Sequence, residues 1–242
     1  FGVSVIGGVD ESGNELPTIY QPQYEKRGLP GAVYEIIAAE DIITQDGTAR
    51  NQKGEVVDTV TTEETGTAVS RELYLGKYEV REITAPHGMV LNPEPHCVVL
   101  VYAGQNVAVT ETATSFENER QKVEISLVKS IEQNERFGIG NNGEMKNISF
   151  GLFAAEEIVS TSGTSIPANG LVEIISLNED GTAKIKTDLP FGSYYVQELA
   201  TDSHYKLSDT KYPVTFGYAG QDTAVVKIAV NDGNAVENKL IY

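Results

Sequence analysis

The chain has 242 residues, with 35 acidic against 18 basic side chains, a net charge of −17 and a pI near 4.5. Such acidity argues against a nucleic-acid partner, where Lys and Arg must neutralise phosphates, and against docking on an anionic membrane surface. The length suits two domains of about 120 residues, each able to bury its own core. No apolar run approaches the ~20 residues a membrane-crossing helix needs, so no membrane insertion is expected in this segment. The single cysteine, Cys97, rules out a disulfide within the chain. Its apolar surroundings, HCVVLVY, predict a buried, inert thiol. The opening FGVSVIGG lacks the basic start of a signal peptide, and the chain reads as a segment of a longer protein.

In chain order, the first expected strand is GVSVIGG, residues 2–8, followed by a polar excursion that runs to Pro30. GAVYEI begins at Gly31, and IAAEDII up to Ile43 fits either a helical turn or a strand. KYEVREIT and HCVVLVY complete the strands of the first half, with turn signals at QDGT, EETG and YAGQ. The second half opens on QKVEISLVK from Gln121, and a second polar excursion covers residues 130–146. ISFGLFA, LVEIIS, AKIKT, SYYVQEL, YPVTFGY and AVVKIAV follow, divided by NEDG and NDGN. These segments are short, rich in β-branched and aromatic residues, and several alternate polar with apolar. Many short strands at regular spacing imply an all-β sandwich or barrel.

The two halves repeat each other. AVYEIIAAEDI returns as ISFGLFAAEEI, LYLGKYEVREIT as LPFGSYYVQELA, and VYAGQNVAV as GYAGQDTAV. Ala38 to Ala154, Glu82 to Glu198 and Tyr102 to Tyr218 are each 116 residues apart. Each half ends on a Glu-Asn pair, Glu117-Asn118 and Glu237-Asn238. A period this long marks a duplicated domain rather than a solenoid repeat. The expected domains are residues 1–119 and 120–242, joined without glycine or proline through FENERQKVEISLVK.

The segment YEVREITAPHGMVL, Tyr78 to Leu91, resembles the Y-x-x-x-E-x-x-A-P-x-G-Y signature of the B-type domains of Gram-positive collagen adhesins and pilins. GLPGAVYEI resembles the L-x-G-A-x-F-x-I strand of the same family. In the second copy Tyr194 and Glu198 keep the core of the signature and Tyr205 its final aromatic position. Thr201, Asp202 and His204 replace its other elements. The resemblance implies a prealbumin-like β-sandwich, an inverse relative of the immunoglobulin fold, in both copies. It also implies a spontaneous amide (isopeptide) bond between a first-strand lysine and a last-strand asparagine, assisted by a glutamate. The matching residues in the second copy are Lys129, Asn238 and Glu198. In the first copy Glu82 and Asn118 match but Gly7 and Gly8 stand at the lysine place. Lys26, in a polar segment, is the nearest substitute, so Glu82, Asn118 and Lys26 form a possible second site or a remnant of one.

The chemistry is independent of the resemblance. Burial disfavours a lysine's charged form and makes it a nucleophile. A buried, protonated glutamic acid would hydrogen-bond the asparagine amide oxygen and relay a proton to the departing ammonia, while the fold holds the reactants together. Each residue also has a plainer reading, as a snorkelling lysine, a solvated or ion-paired glutamate and a strand-end asparagine. The spacing of His87, His96 and His204 does not fit a structural zinc site, and no nucleotide-binding or hydrolase motif is present. No cofactor or metal is expected, and no turnover beyond a single self-modification.

The resemblance implies a structural stalk or spacer of a cell-wall-anchored adhesin or pilin subunit, on the outside of a Gram-positive bacterium. Its partners would be other domains of the same surface protein. The rival reading is a module that binds a host extracellular protein or glycan. L-P-x-T-G and Y-P-K motifs are absent from this stretch, which favours an adhesin stalk or minor subunit over a polymerising major pilin.

Overall fold

A computed structural model describes residues 1–242. At 44% strand and 3% helix, it is all-β. β1 (Gly2–Val9) and β2 (Glu15–Gln23) form an antiparallel hairpin. β3 (Val33–Ala38), β4 (Ile42–Ile43), β5 (Ala49–Asn51), β6 (Val56–Thr61), β7 (Gly76–Thr84) and β8 (His96–Leu100) follow. The remainder is β9 (Lys122–Ile131), β10 (Ser149–Ala154), β11 (Ile158–Val159), β12 (Ser165–Ile166), β13 (Leu171–Ser176), β14 (Thr182–Ile185), β15 (Gly192–Ala200), β16 (Tyr212–Phe216), β17 (Val225–Ala229) and β18 (Val236–Asn238). The AAEDII stretch, open to either reading, is the end of β3, a bend and β4, with no helical turn.

The chain divides into two compact units. The first holds Lys26–Gln121 and Ala219–Ala224; the second holds Phe1–Glu25, Lys122–Tyr218 and Val225–Tyr242. The second unit is a full sandwich. One sheet runs β13-β10-β15-β16 and the other β14-β9-β17, with β18 pairing further along β9. Period-2 alternation on β9 sends Val123, Ile125 and Leu127 inward. They meet Phe150, Leu152 and Ala154 of β10 and Tyr194 and Val196 of β15 in one core. Tyr194 is fully buried, and its hydroxyl donates to the Pro190 carbonyl at 2.6 Å, which removes the cost of burying it. Gly181, with φ +84°, lets β14 approach β9; a Cβ there would lie 2.2 Å from the Lys129 carbonyl oxygen.

The first unit repeats only half of this. Its sheet β6-β3-β7-β8 matches β13-β10-β15-β16 strand for strand, and its other sheet is the two-stranded β4-β5, with no counterpart of β14-β9-β17. Its core cluster is five buried residues, Ile36, Ala38, Ile42, Val57 and Tyr78, against twenty in the second unit. A buried glutamine, Gln121, anchors the Ala219–Ala224 loop, donating to the Gly220 and Thr223 carbonyls at 2.9 and 2.8 Å and accepting from Ala219 N–H at 2.8 Å.

Three expectations change. GVSVIGG is a strand, but it does not open the first copy. The β1–β2 hairpin lies in the second unit, where Val3 N–H donates to Thr164 Oγ1 at 3.0 Å and Tyr24 Oη to the Asp188 carbonyl at 3.2 Å. Phe1, Val3 and Tyr20 gain apolar cover there, which the side-chain-free Gly7 and Gly8 could not supply in a central strand. The supposed excursion after it is the hairpin's turn, capped by Asp10 Oδ1 accepting from Ser12 and Asn14 N–H at 2.9 and 2.8 Å, then β2 itself. Cys97 is exposed, not buried. It lies on β8, an edge strand, where alternation turns His96, Val98 and Leu100 toward the core side and Cys97 and Val99 away.

The different completeness of the two cores is measurable. Val196 is sealed, whereas its counterpart Val80 is half-buried. Val196→Ala should cost about 2 kcal/mol or more, and Val80→Ala no more than about 1 kcal/mol, read by native-state hydrogen exchange of each unit.

Candidate functional site

Continuing the β9 alternation past Leu127 places Lys129 on the inward face. It is 2% exposed, and Glu198 and Asn238 are 5% and 2% exposed. Three strands deliver these groups. The turn leading into β14 holds the lysine's backbone, with Lys129 N–H donating to the Gly181 carbonyl at 2.8 Å. β18 runs parallel to β9 with Val236 opposite Lys129, so Asn238, two residues on, shares the inward face. β15 carries Tyr194, Val196 and Glu198 inward at alternate positions, with Glu198 paired to Phe150.

Hydrogen bonds link Asn238 to Glu198 and hold Lys129 against β18. Asn238 Nδ2 donates to Glu198 Oε1 at 2.6 Å and to Thr201 Oγ1 at 3.0 Å. Glu198 Oε2 accepts from Ser208 N–H at 2.8 Å. Lys129 Nζ donates to the Val236 carbonyl at 3.0 Å. Asn238 Oδ1 is buried without any hydrogen-bond partner, an arrangement a settled structural cluster avoids. Burial pushes the Lys129 ammonium down to about 8, against the opposing pull of the Glu198 and Glu237 charges. A substantial share of this lysine is therefore neutral near physiological pH. The sequence placed Glu198 on the amide oxygen; the structure places it on the amide nitrogen.

The altered signature positions of the second copy take part in the site's surroundings. Thr201 holds the Asn238 amide. Asp202 accepts from Asn147 Nδ2 at 2.6 Å and contacts His204 Nδ1 at 2.5 Å. Burial works to raise the Asp202 carboxyl, but the hydrogen bonds from Asn147 and His204 outweigh it and hold it below its usual value. Buried Tyr205 donates to the Glu132 carbonyl at 2.8 Å. Neither Thr201 nor the Ser208 N–H was flagged by the sequence, since backbone donors and single hydroxyls carry no pattern. The 116-residue repeat is the signal that reaches Ser208, through Asn92.

In the first unit Asn118 Nδ2 donates to Glu82 Oε1 and Oε2 at 2.9 and 2.8 Å and to the Val90 carbonyl at 3.0 Å. Asn92 N–H donates to Glu82 Oε2 at 2.6 Å, as Ser208 does to Glu198. Tyr34 Oη approaches Glu82 Oε1 at 3.3 Å, and burial followed by the Glu82 charge raises its pKa to about 12. No lysine joins them. Lys26, with its side chain 87% exposed, pairs with Glu117 at 2.8 Å, an exposed ion pair that adds little stability.

A glutamate hydrogen-bonded to an asparagine at the same place in two sheet-matched copies, one with a buried lysine, defines a class: tandem prealbumin-like β-sandwich domains with a pilin- or adhesin-like fold. The chain belongs to the SpaA prealbumin-like fold domain family, which matches residues 21–115 and again 122–234. Among solved structures, the TIE protein of Bacillus anthracis is similar over 99% of this chain and 41% of its own, at 19% identity and a TM-score of 0.53. This chain thus spans less than half of that protein. GBS52, the minor pilin of Streptococcus agalactiae, is similar over 90% of this chain and 86% of its own, at 17% identity and a TM-score of 0.32. BcpA, the major pilin subunit of Bacillus cereus, is similar over 91% and 98%, at 12% identity and a TM-score of 0.29. No curated protein matches the sequence closely.

The buried lysine has a pH signature. With its folded pKa near 8 against the ordinary lysine value of 10.5, the unfolded chain binds more protons between those limits, so stability rises with pH across that window. In Asn238→Ala, where Lys129 stays free, the denaturation midpoint of the second unit should climb from about pH 8 toward pH 10.5. The double variant Lys129→Met with Asn238→Ala should lack that climb.

Proposed function

We propose that the chain is a structural stalk segment of a Gram-positive surface protein of the pilin or adhesin kind, and that its second unit closes itself with an amide between Lys129 Nζ and Asn238 Cγ. The observation that carries this reading is the sealed meeting of Lys129, Glu198 and Asn238, with a lowered lysine pKa and an unpartnered amide oxygen. Neutral Lys129 attacks Cγ. Glu198 takes the proton released from Nζ and passes it to Nδ2, to which it is already hydrogen-bonded. The Cγ–Nδ2 bond breaks and ammonia leaves. The reaction happens once per chain, so the protein is its own substrate and not an enzyme.

The bond would staple a chain that has no disulfide. It closes a loop of about 110 residues, and by analogy with disulfides this constrains the unfolded state by roughly 4–5 kcal/mol. Unlike a disulfide, it resists reductants. The site of action is outside the cell, at the wall, and the partners are further domains of the same protein and other pilin-type subunits.

Intact mass with peptide mapping tests the reading. The chain should weigh about 17 Da less than its sequence, the loss of one ammonia in a covalent modification, with the deficit mapped to Lys129 and Asn238. Glu198→Ala should restore the full mass. A full mass in the unmutated chain would sink the proposal, as would complete linkage in Glu198→Ala.

A further inference from the structure

Glu198 has one oxygen to spare. Its Oε2 is held by the Ser208 N–H at 2.8 Å, so Oε1 alone meets the Asn238 amide, at 2.6 Å from Nδ2. The same carboxylate has to take the proton that Lys129 releases and carry it to Nδ2. A single oxygen turning toward the lysine slackens its hydrogen bond to the amide at the moment when the amide must hold still. Asn238 Oδ1 offers no anchor, since it has no hydrogen-bond partner. One hydrogen bond on the amide is left: Nδ2 also donates to Thr201 Oγ1 at 3.0 Å.

The two copies differ at this contact. Thr201 stands three residues after Glu198, whereas three residues after Glu82 the first copy has Ala85. Beside its bonds to Glu82, Asn118 Nδ2 donates instead to the Val90 carbonyl at 3.0 Å. The hydroxyl is thus found in the copy that has the buried lysine. A carbonyl only accepts, and it suits the N–H groups of a planar amide. A hydroxyl both accepts and donates, so it can keep its hold as the nitrogen turns pyramidal and gains a lone pair. Branching at Cβ limits the rotation of the threonine side chain. Its backbone is anchored on both sides, by β15 before it and by buried Asp202 after it, which accepts from Asn147 Nδ2 at 2.6 Å.

We propose that Thr201 belongs to the bond-forming machinery of the second unit: its hydroxyl holds Asn238 Nδ2 while Glu198 Oε1 collects the proton from Lys129. This rests on the amide proposed above between Lys129 and Asn238. The hold restrains rotation about the Cβ–Cγ bond of Asn238 and so keeps one face of Cγ turned to the lysine. Nζ bonds to Cγ, Glu198 carries the Nζ proton to Nδ2, and the Cγ–Nδ2 bond breaks. Ammonia departs from the Thr201 hydroxyl, which ends unchanged.

The test is the rate of bond formation. Each full chain is recovered unfolded in urea with its mass still full, started by dilution into buffer on either side of pH 8, quenched in acid at intervals and weighed. In the unmutated chain the deficit of about 17 Da should grow at a rate that rises with pH and levels off above about pH 8, where Lys129 is neutral. Thr201→Val, alike in shape but without the hydroxyl, should lower that plateau about tenfold without moving its midpoint. Thr201→Ser should recover most of the loss. An unchanged plateau in Thr201→Val, or a Thr201→Ser chain as slow as Thr201→Val, would overturn the proposal. So would a midpoint that moves up together with the loss, because a wetted core and a better-charged lysine would then account for it. If hydrogen exchange shows Thr201→Val unfolded, Thr201→Ala, the residue of the first copy, takes its place under the same criteria. The unmutated chain keeps the two readings apart: no deficit refutes the earlier one, and a deficit that Thr201→Val matches in rate refutes this one alone.

Discussion

The second unit depends on one placement: β9 runs through the middle of a sheet with both edges paired. A strand in that position has no solvent face for its inward residues, so the alternation that buries Val123, Ile125 and Leu127 also carries Lys129 into the core. A charged lysine costs several kcal/mol in such surroundings unless it is paired or loses its proton. The groups that meet it, Glu198 and Asn238, come from strands fixed by the same sandwich. The strands that make the core thus also bring these groups together and lower the lysine's pKa.

The first unit shows what the fold becomes without that strand. Its outer sheet survives because β3, β6, β7 and β8 pair among themselves and the strand pairing needs no partner sheet. Tyr78 keeps its buried hydroxyl bond, to the Tyr74 carbonyl at 2.7 Å, as Tyr194 does to Pro190. The core does not survive to the same extent, since one sheet face cannot bury itself. Glu82 and Asn118 persist as a hydrogen-bonded pair, and Tyr34 occupies the flank where Phe150 stands in the other copy, its hydroxyl turned to the carboxylate.

Much of this was legible in the residues. The repeat at 116 residues marked a duplicated domain, and the short, partly alternating segments marked an all-β sandwich or barrel. The family resemblance singled out Lys129, Glu198 and Asn238. What was not legible depended on non-local choices. Whether GVSVIGG joined its own copy or the other unit turned on competing apolar surfaces, and a string of valines looks the same in either place. Cys97 was misjudged because an apolar strand reads as buried on both faces, whereas an edge strand shows one face to solvent. The side of the Asn238 amide that meets Glu198 is set by Thr201 and Ser208, residues without a pattern of their own.

The parallel pairing of β9 with β17 and β18 also sets an order of events. β9 is the first strand of its sandwich, yet its neighbours Val225–Ala229 and Val236–Asn238 lie about a hundred residues downstream. Contacts of such long sequence separation form late and slowly. A chain emerging amino-end first holds β9 half-paired, with an exposed edge, until its last strand arrives. Only then do lysine and asparagine share a face. An amide between them would be a permanent record, written into the covalent structure, that the unit had once folded to its last strand.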